Sequence, residues 1–557
     1  MLTETISNII FVFFYLSQVL FWYTVIKKLK SESLFKKLSL FLIILFFVFI
    51  KIFLSNPYYG SDDDDDLYIY EQLYVKLYDF DLPEGWYGSS ENPFLITSVL
   101  YPIFKLLLIL NPNFRLLPLH ITFFTLYSSV ILLLSFYFII KLLDEKSILP
   151  VLILVLFPNF FFFSRSLSYI FISHCYFLQT LLFLYLSKNS TKKVTKKLFF
   201  IFSLFLLFYS AFIKVDNLIF VWLYFIFWLN LNDFPLMRSF FYSLILVPFI
   251  FLFKRFFNRI LQYLESQTIL KIIKNIAFFI FKSPKSNFIF FISLIVSPFV
   301  LLKSYFWVLY LYIFLIMYSF SYNLHLIFPR FRYGIALLIP AILILVSFLN
   351  KAFFKKHYYL KQTFYFSIIF LEILCLFMFP VKYNKSEMIN YLETHTIEGF
   401  TQIAYMPMIF GVRPLDYALI LKSKNPEIEI KPLNLYTDNH KINIDLKKTD
   451  LIYMNIPDSC KEVPTEKISE ALSNLSIDQL KPYCYDFKWS HLKEVFREYN
   501  QSKNKDYSLK RINFTLVFFD YYGVYDYGIK YLQTLLKNCN ATKSSFSYVS
   551  FYNLSCE

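Results

Sequence analysis

"PLHITFFTLYSSVILLLSFYFIIKL", residues 118–142, decides what kind of protein this is. From Ile121 to Ile140 it carries no charge. A hydrocarbon layer about 30 Å thick is crossed by about 20 such residues in a helix. The run is apolar on every side, whereas a barrel strand alternates in polarity. Inside lipid, backbone groups must bond within their own segment, so the run predicts a spanning helix. Comparable runs lie near 9–26, 38–54, 147–163, 168–187, 198–213, 217–231, 239–253, 285–302, 304–322, 334–350 and 363–380. The expected fold is therefore mainly α, a polytopic transmembrane bundle of about 12 spans over residues 1–384.

Composition agrees. The 557 residues are 57% hydrophobic and 22% aromatic, only 17% are charged, and Phe alone numbers 72. The mean hydropathy is +0.51. A soluble protein would have to expose too much of this apolar surface. The first run has no basic stretch before it and no small-residue cleavage site after it, so it is expected to be retained.

The net charge of +16 does not imply nucleic acid. The lysines and arginines cluster between apolar runs, as in "KKLKSESLFKK" (27–37), "KNSTKKVTKK" (188–197) and "NKAFFKKHYYLKQ" (350–362). That is the positive-inside pattern of cytoplasmic loops, with no basic groove or nucleic-acid motif beside it. Counting spans from these loops puts 55–117 outside the cytoplasm. The loops at "SRSLS", "IKVDN" and "FPRFRYG" fall outside too, with everything after 381. The basic stretch 254–286 also falls outside by this count, and its helical spacing suggests an amphipathic helix on the membrane surface.

Residues 385–557 turn polar. Strand-like pieces such as "DLIYMNI" and "INFTLVFFDYYGV" alternate with helix-like pieces such as "EKISEALSNL", which predicts an extracytoplasmic α/β domain. Cys460, Cys484, Cys539 and Cys556 lie there and suit two disulfides in one of three pairings. Cys175 and Cys375 lie in apolar runs and pack as small hydrophobes.

The loop 55–93 holds ten acids against one lysine, Lys76. In "SDDDDDLYIYEQLYVKLYDF" (61–80), Leu67, Tyr70, Leu73, Tyr74 and Leu77 recur at helical spacing. The aspartates thus form the first turn of a short amphipathic helix, where the helix dipole favours acids. After the turn at 84–91, "NPFLITSVLYPIFKLLLIL" (92–110) becomes an apolar helix that lies in the interface rather than crossing.

The order of these elements resembles the GT-C class of membrane glycosyltransferases, relatives of the protein O-mannosyltransferases and of the lipid A aminoarabinose transferase. In that class the first external loop carries an acidic pair, one member catalytic, and "DDLYIYEQL" with Asp65 and Asp66 matches that place. "NPFLITSVLYP" (92–102), "FPNFFFFSRSLSYIF" (157–171), "AFIKVDNLIF" (211–220) and "FPRFRYGIALLIP" (328–340) resemble later segments in order, over roughly residues 40–350. An acid often follows the Ser-Arg turn in that class, and here Ser168 and Tyr169 stand instead. The helix at 9–26 is an addition to the simplest family pattern. The resemblance implies sugar transfer from a polyprenyl-phosphate carrier to a glycan, lipid or protein acceptor, in the cell envelope at a bacterial inner (plasma) membrane.

The chemistry asks for matching residues. The acceptor loses a proton as it attacks, so a carboxylate must act as general base, and crowded acids at a surface make a better base. Carboxylates also stabilise an oxocarbenium-like transition state. Asp65 and Asp66 are the catalytic candidates. The departing phosphate needs cations, and Lys76, Arg165, Lys214, Arg330 and Arg332 are the substrate-binding candidates, with Glu91 beside them. Arg115 is a further external cation, and His120 and His174 read as structural. Asp62 and Asp63 are candidates for Mg²⁺ or Mn²⁺, which prefer carboxylate oxygens. Two rivals stand beside the transferase. One is a ligase or polymerase of lipid-linked glycans. The other is a transporter or flippase of lipid-linked sugar, which would carry charges and broken helices within its spans.

Overall fold

The structure is a computed structural model. It describes residues 2–49, 51–52, 65–78, 94–116, 118–143, 145–157, 160, 169–213, 215–235, 238, 242, 284–321, 334–350, 357–378, 402–405, 427–432, 449–454, 539–546 and 549–556. These residues are mainly helical. They divide between two compact units, Met1–Leu77 with Ser89–Tyr383, and Tyr78–Gly88 with Asn384–Glu557.

The first unit holds twelve described α-helices. They are α1 Leu2–Lys30, α2 Leu34–Phe49, α3 Asp65–Tyr78, α4 Phe94–Leu110, α5 Pro118–Leu142 and α6 Leu149–Leu156, then α7 Tyr169–Asn189, α8 Lys193–Phe212, α9 Ile219–Leu231, α10 Pro284–Ser321, α11 Gly334–Leu349 and α12 Tyr358–Met378. A 3₁₀ turn, Val215–Leu218, leads into α9. Among the described residues, four helices are long and apolar enough to cross a membrane: Glu4–Lys30, His120–Leu142, Tyr169–Asn189 and Lys193–Phe212. Five shorter apolar helices accompany them. The chain is thus compatible with a membrane protein. The expected span 239–253 lies outside the described residues except for Tyr242.

The core is a bundle in which α1, α5 and α7 run in the same direction. Phe14 of α1 meets Phe124 of α5 and Tyr176 of α7, and further along Phe21 meets Phe183. Between these ring contacts, Gln18 and Gln179 exchange amide hydrogen bonds at 3.4 Å in both directions. Tyr127 donates to the Gln18 carbonyl oxygen at 3.3 Å, and Trp22 donates to Tyr127 at 3.2 Å. A buried amide without a partner costs a few kcal/mol, so this polar knot sets the register of three helices at once. α8 returns against α7, with Ser203 donating to the Thr180 carbonyl at 3.0 Å. We call the end where α1, α5, α7 and α9 begin the near end, and the opposite end the far end.

α10 spans Pro284–Ser321 as 38 helical residues. Yet Ser297 and Tyr312 share a hydrogen bond at 3.1 Å. In a straight helix these residues would stand about 22 Å apart along the axis. The helix therefore reverses between them, and its two halves are antiparallel, as two separate spans near 285–302 and 304–322 would be. Neighbours agree: Ser293 bonds the Ala341 carbonyl and Phe299 meets Phe348, while Phe306 meets Phe227 and Phe314 meets His174.

The expected span 147–163 is interrupted after α6, and of residues 158–163 only Phe160, which is helical, is described. α6 ends at Leu156, and Phe157 is extended (φ −64°, ψ 127°). The cause is Pro158, whose ring disfavours helical geometry in the residue before it.

The far end is tied by ion pairs. Lys141 pairs with Glu32, joining the end of α5 to the α1–α2 turn. Glu145, in the α5–α6 connection, accepts from Lys361 at 2.8 Å, from Tyr365 at 2.7 Å and from the Ser147 N–H at 2.8 Å. Lys361 also donates to Asn350, which donates to the Leu143 carbonyl.

In the second unit five strands form one sheet: β1 Gln402–Tyr405, β2 Glu429–Pro432, β3 Thr449–Met454, β4 Cys539–Phe546 and β5 Val549–Cys556. Their order is β2-β1-β3-β5-β4. β1 runs parallel to β2 and β3, and β5 is antiparallel to β3 and β4. The strand-like "DLIYMNI" contributes to β3. "INFTLVFFDYYGV" and "EKISEALSNL" lie outside the described residues. Cys539 stands directly opposite Cys556 in the β4–β5 register.

Candidate functional site

α3 begins at Asp65, so the acidic pair Asp65 and Asp66 opens this helix. Of the expected apolar face, Tyr70, Leu73 and Tyr74 are buried and Leu77 is half-buried, the Leu67 side chain lies outside the described residues, and Ile69 is buried with them. Tyr70 donates to the Leu116 carbonyl at 3.3 Å. Leu116 follows α4, so this bond ties α3 to the segment that leaves α4. Tyr15 donates to the Val99 carbonyl, which fastens α4 against the first half of α1.

At the last turn of α3, Lys76 lies over the Tyr101 ring of α4, 4.2 Å from its centroid. Lys105, one turn further along α4, approaches the same ring at 5.4 Å. Two lysines thus share one aromatic ring, a cation–π arrangement. Partial burial pushes the Lys76 ammonium below the usual lysine range; Glu4 opposes that shift and Lys105 adds to it. The result is a small dibasic patch with a single acid near it among the groups acting on Lys76. Lys105 was not a candidate from sequence. Its only signal was its spacing from Tyr101 on one helix face.

The remaining candidates divide plainly. The side chains of Asp65 and Asp66 lie outside the described residues, as do Asp62, Asp63, Glu91, Arg165, Lys214, Arg330 and Arg332. The elements flanking the last four meet at the near end. α7 begins four residues after Arg165, the 3₁₀ turn begins directly after Lys214, and α10 ends and α11 begins on either side of Arg330 and Arg332. Asn217 of that turn donates to Ser173 of α7 at 2.6 Å, and Phe314 of α10 meets His174 of α7 at 5.1 Å. Arg115 donates to the Pro112 and Phe114 carbonyls and so braces its own loop.

The two histidines read as packing groups. His120 lies beside Phe104 and Phe114. His174 is fully buried, bonds the Ile170 carbonyl through Nδ1, and is boxed by Phe220, Tyr310 and Phe314. Among the described residues no three His, Cys, Asp or Glu side chains are grouped to hold a metal ion.

One acid escaped notice within an expected span. Glu372 of α12 is 2% exposed, and its Oε2 has no hydrogen-bond partner. A single acid inside an apolar run scarcely changes the run's hydropathy, so nothing in the sequence singled it out. Comparison with known protein families, with curated proteins and with solved structures finds no match for this chain.

Proposed function

We propose that the protein is a membrane glycosyltransferase that moves a sugar from a polyprenyl-phosphate carrier to an acceptor on the extracytoplasmic face. The observation that carries this reading is α3 itself, a short helix buried along one face that opens on Asp65 and Asp66 and ends at a dibasic patch. In this reading one of the two aspartates takes the acceptor proton, and its neighbour stabilises the positive charge growing at the sugar. Lys76 is eleven residues from Asp65, about 16 Å along the helix. That is too far to neutralise a phosphate leaving from a sugar attacked beside Asp65. Lys76 and Lys105 would instead hold a neighbouring lipid phosphate, while Arg165, Lys214, Arg330 and Arg332 serve the leaving group. The twelve-span count, the outside placement of 55–117 and the role of 385–557 as an external α/β domain assisting acceptor binding belong to the same proposal.

The test is direct. Asp65→Asn and Asp66→Asn are made singly, and sugar transfer from a polyprenyl-phosphate donor is measured in membranes. Loss of the base should cost at least about 100-fold in one of the two. Full activity in both would sink the assignment. The second reading, a transporter or flippase of lipid-linked sugar, is favoured by two features: the buried acid Glu372 and the interruption of α6.

A further inference from the structure

Glu372 and the end of α6 occur at the same height in the bundle. Both α6 and α12 start at the far end, where Glu145 meets Lys361 and Tyr365. α6 rises about 12 Å over its eight residues before breaking. Along α12, Glu372 lies seven residues beyond Tyr365, about 10 Å. The two helices pack against each other. Measured from Lys361, Glu372 is about 16 Å along, near the middle of a layer about 30 Å thick. Pro158 has no N–H to offer the Leu154 carbonyl, so the regular helical bonding of α6 stops at this depth.

Among the described residues the surroundings supply no counter-charge. Tyr365, Ile368, Ile369 and Glu372 form the buried face of α12, while Phe366, Phe370 and Leu374 are exposed on the other. α6 contributes only Leu, Pro, Val and Ile. α10 has no acid and no histidine. Its Tyr305 and Tyr312 bond Phe234 and Ser297, and Tyr310 packs on His174. The side chains of its two lysines, Lys285 and Lys303, lie outside the described residues. On α12 itself, Lys361 and Tyr365 are already engaged by Glu145. An ionised carboxylate without a partner would cost many kcal/mol in such a place.

We propose that Glu372 is a proton-binding site in the middle of the bundle, holding its proton as a neutral carboxylic acid beside the broken end of α6. The ligand is the proton, and giving it up requires water, a cation or a movement of α12 to reach the carboxylate. The inference rests on burial and packing, and stands whether or not sugar transfer occurs.

Carbodiimide chemistry reads it out. The acid's O–H adds across one C=N bond, the proton going to nitrogen and the carboxyl oxygen to carbon. The acyl group then shifts to the other nitrogen and leaves a stable N-acylurea. The full chain in membranes is treated with a hydrophobic dialkylcarbodiimide or a water-soluble one, and adducts are mapped by mass spectrometry. Glu372 should be modified by the hydrophobic reagent alone, and Glu372→Gln should lack the adduct. Above the group's titration midpoint the yield should fall about tenfold per pH unit, because only the protonated acid reacts. Three results would overturn the proposal. One is no adduct at Glu372 in the folded protein when detergent-unfolded protein is labelled. Another is equal labelling by the water-soluble reagent. The last is suppression by Na⁺ at fixed pH, which would assign the carboxylate to a metal cation.

Discussion

Replacing Lys361 with Met should strand a buried charge. Glu145 is 3% exposed and Lys361 8%, so the pair is well withdrawn from solvent. Removing one partner of a buried ion pair costs about 3–5 kcal/mol, because the remaining charge is left uncompensated. Here Glu145 would keep two donors, the Tyr365 hydroxyl and the Ser147 N–H. Met would also forfeit the 2.6 Å bond to Asn350, whose own amide bonds the Leu143 carbonyl. These effects oppose, and the low end is expected: a loss of about 3 kcal/mol, or about two powers of ten in the folding equilibrium. Adding Glu145→Gln removes the stranded charge, and the double variant should recover to within about 1 kcal/mol of the parent. The assay is unfolding of the purified protein in mixed micelles by increasing SDS, followed by tryptophan fluorescence, for the parent, both single variants and the double. A coupling energy below about 0.5 kcal/mol would refute the reasoning, since contacting residues in one network couple by more than that.

Two further outcomes are expected. The β4–β5 register predicts a Cys539–Cys556 disulfide and leaves Cys460 with Cys484; peptide mapping without reductant should find that pairing, and Cys539→Ser should destabilise the unit by about 3 kcal/mol. Because α10 reverses, Ser297→Cys with Tyr312→Cys should cross-link through a short bifunctional reagent, whereas a straight helix would hold the thiols about 22 Å apart and give none.

Patterns that repeat along one element were legible before the structure, and facts made by two elements were not. The α3 spacing of Tyr70, Leu73 and Tyr74 appears as a buried face because a helix repeats its own geometry. The apolar run 118–142 appears as α5 with the same bounds. The break after Leu156 could have been read from Pro158, but a continuous apolar run outweighed it. Lys105 gains meaning only when Lys76, from a separate helix, is brought over the same ring. Glu372 gains meaning only when its neighbours prove to offer no partner. The strand register that faces Cys539 with Cys556 depends on a hairpin whose pairing the cysteine spacing alone left open among three. The acidic pair was legible because it opens a helix whose apolar spacing follows it in the sequence.

The paired amides of Gln18 and Gln179 bear on how the chain is made. The two residues are 161 positions apart. At about 5–20 residues per second, about 10–30 s of synthesis separates the appearance of one from the other. Throughout that interval the Gln18 amide has only its neighbour Ser17 and, once α5 has emerged, the Tyr127 hydroxyl, and it lacks the partner on α7. Its final docking must wait for α7. A ribosome stalled before residue 179 would therefore leave α1 loosely held, and a chaperone or insertase able to shelter one amide would find its client there.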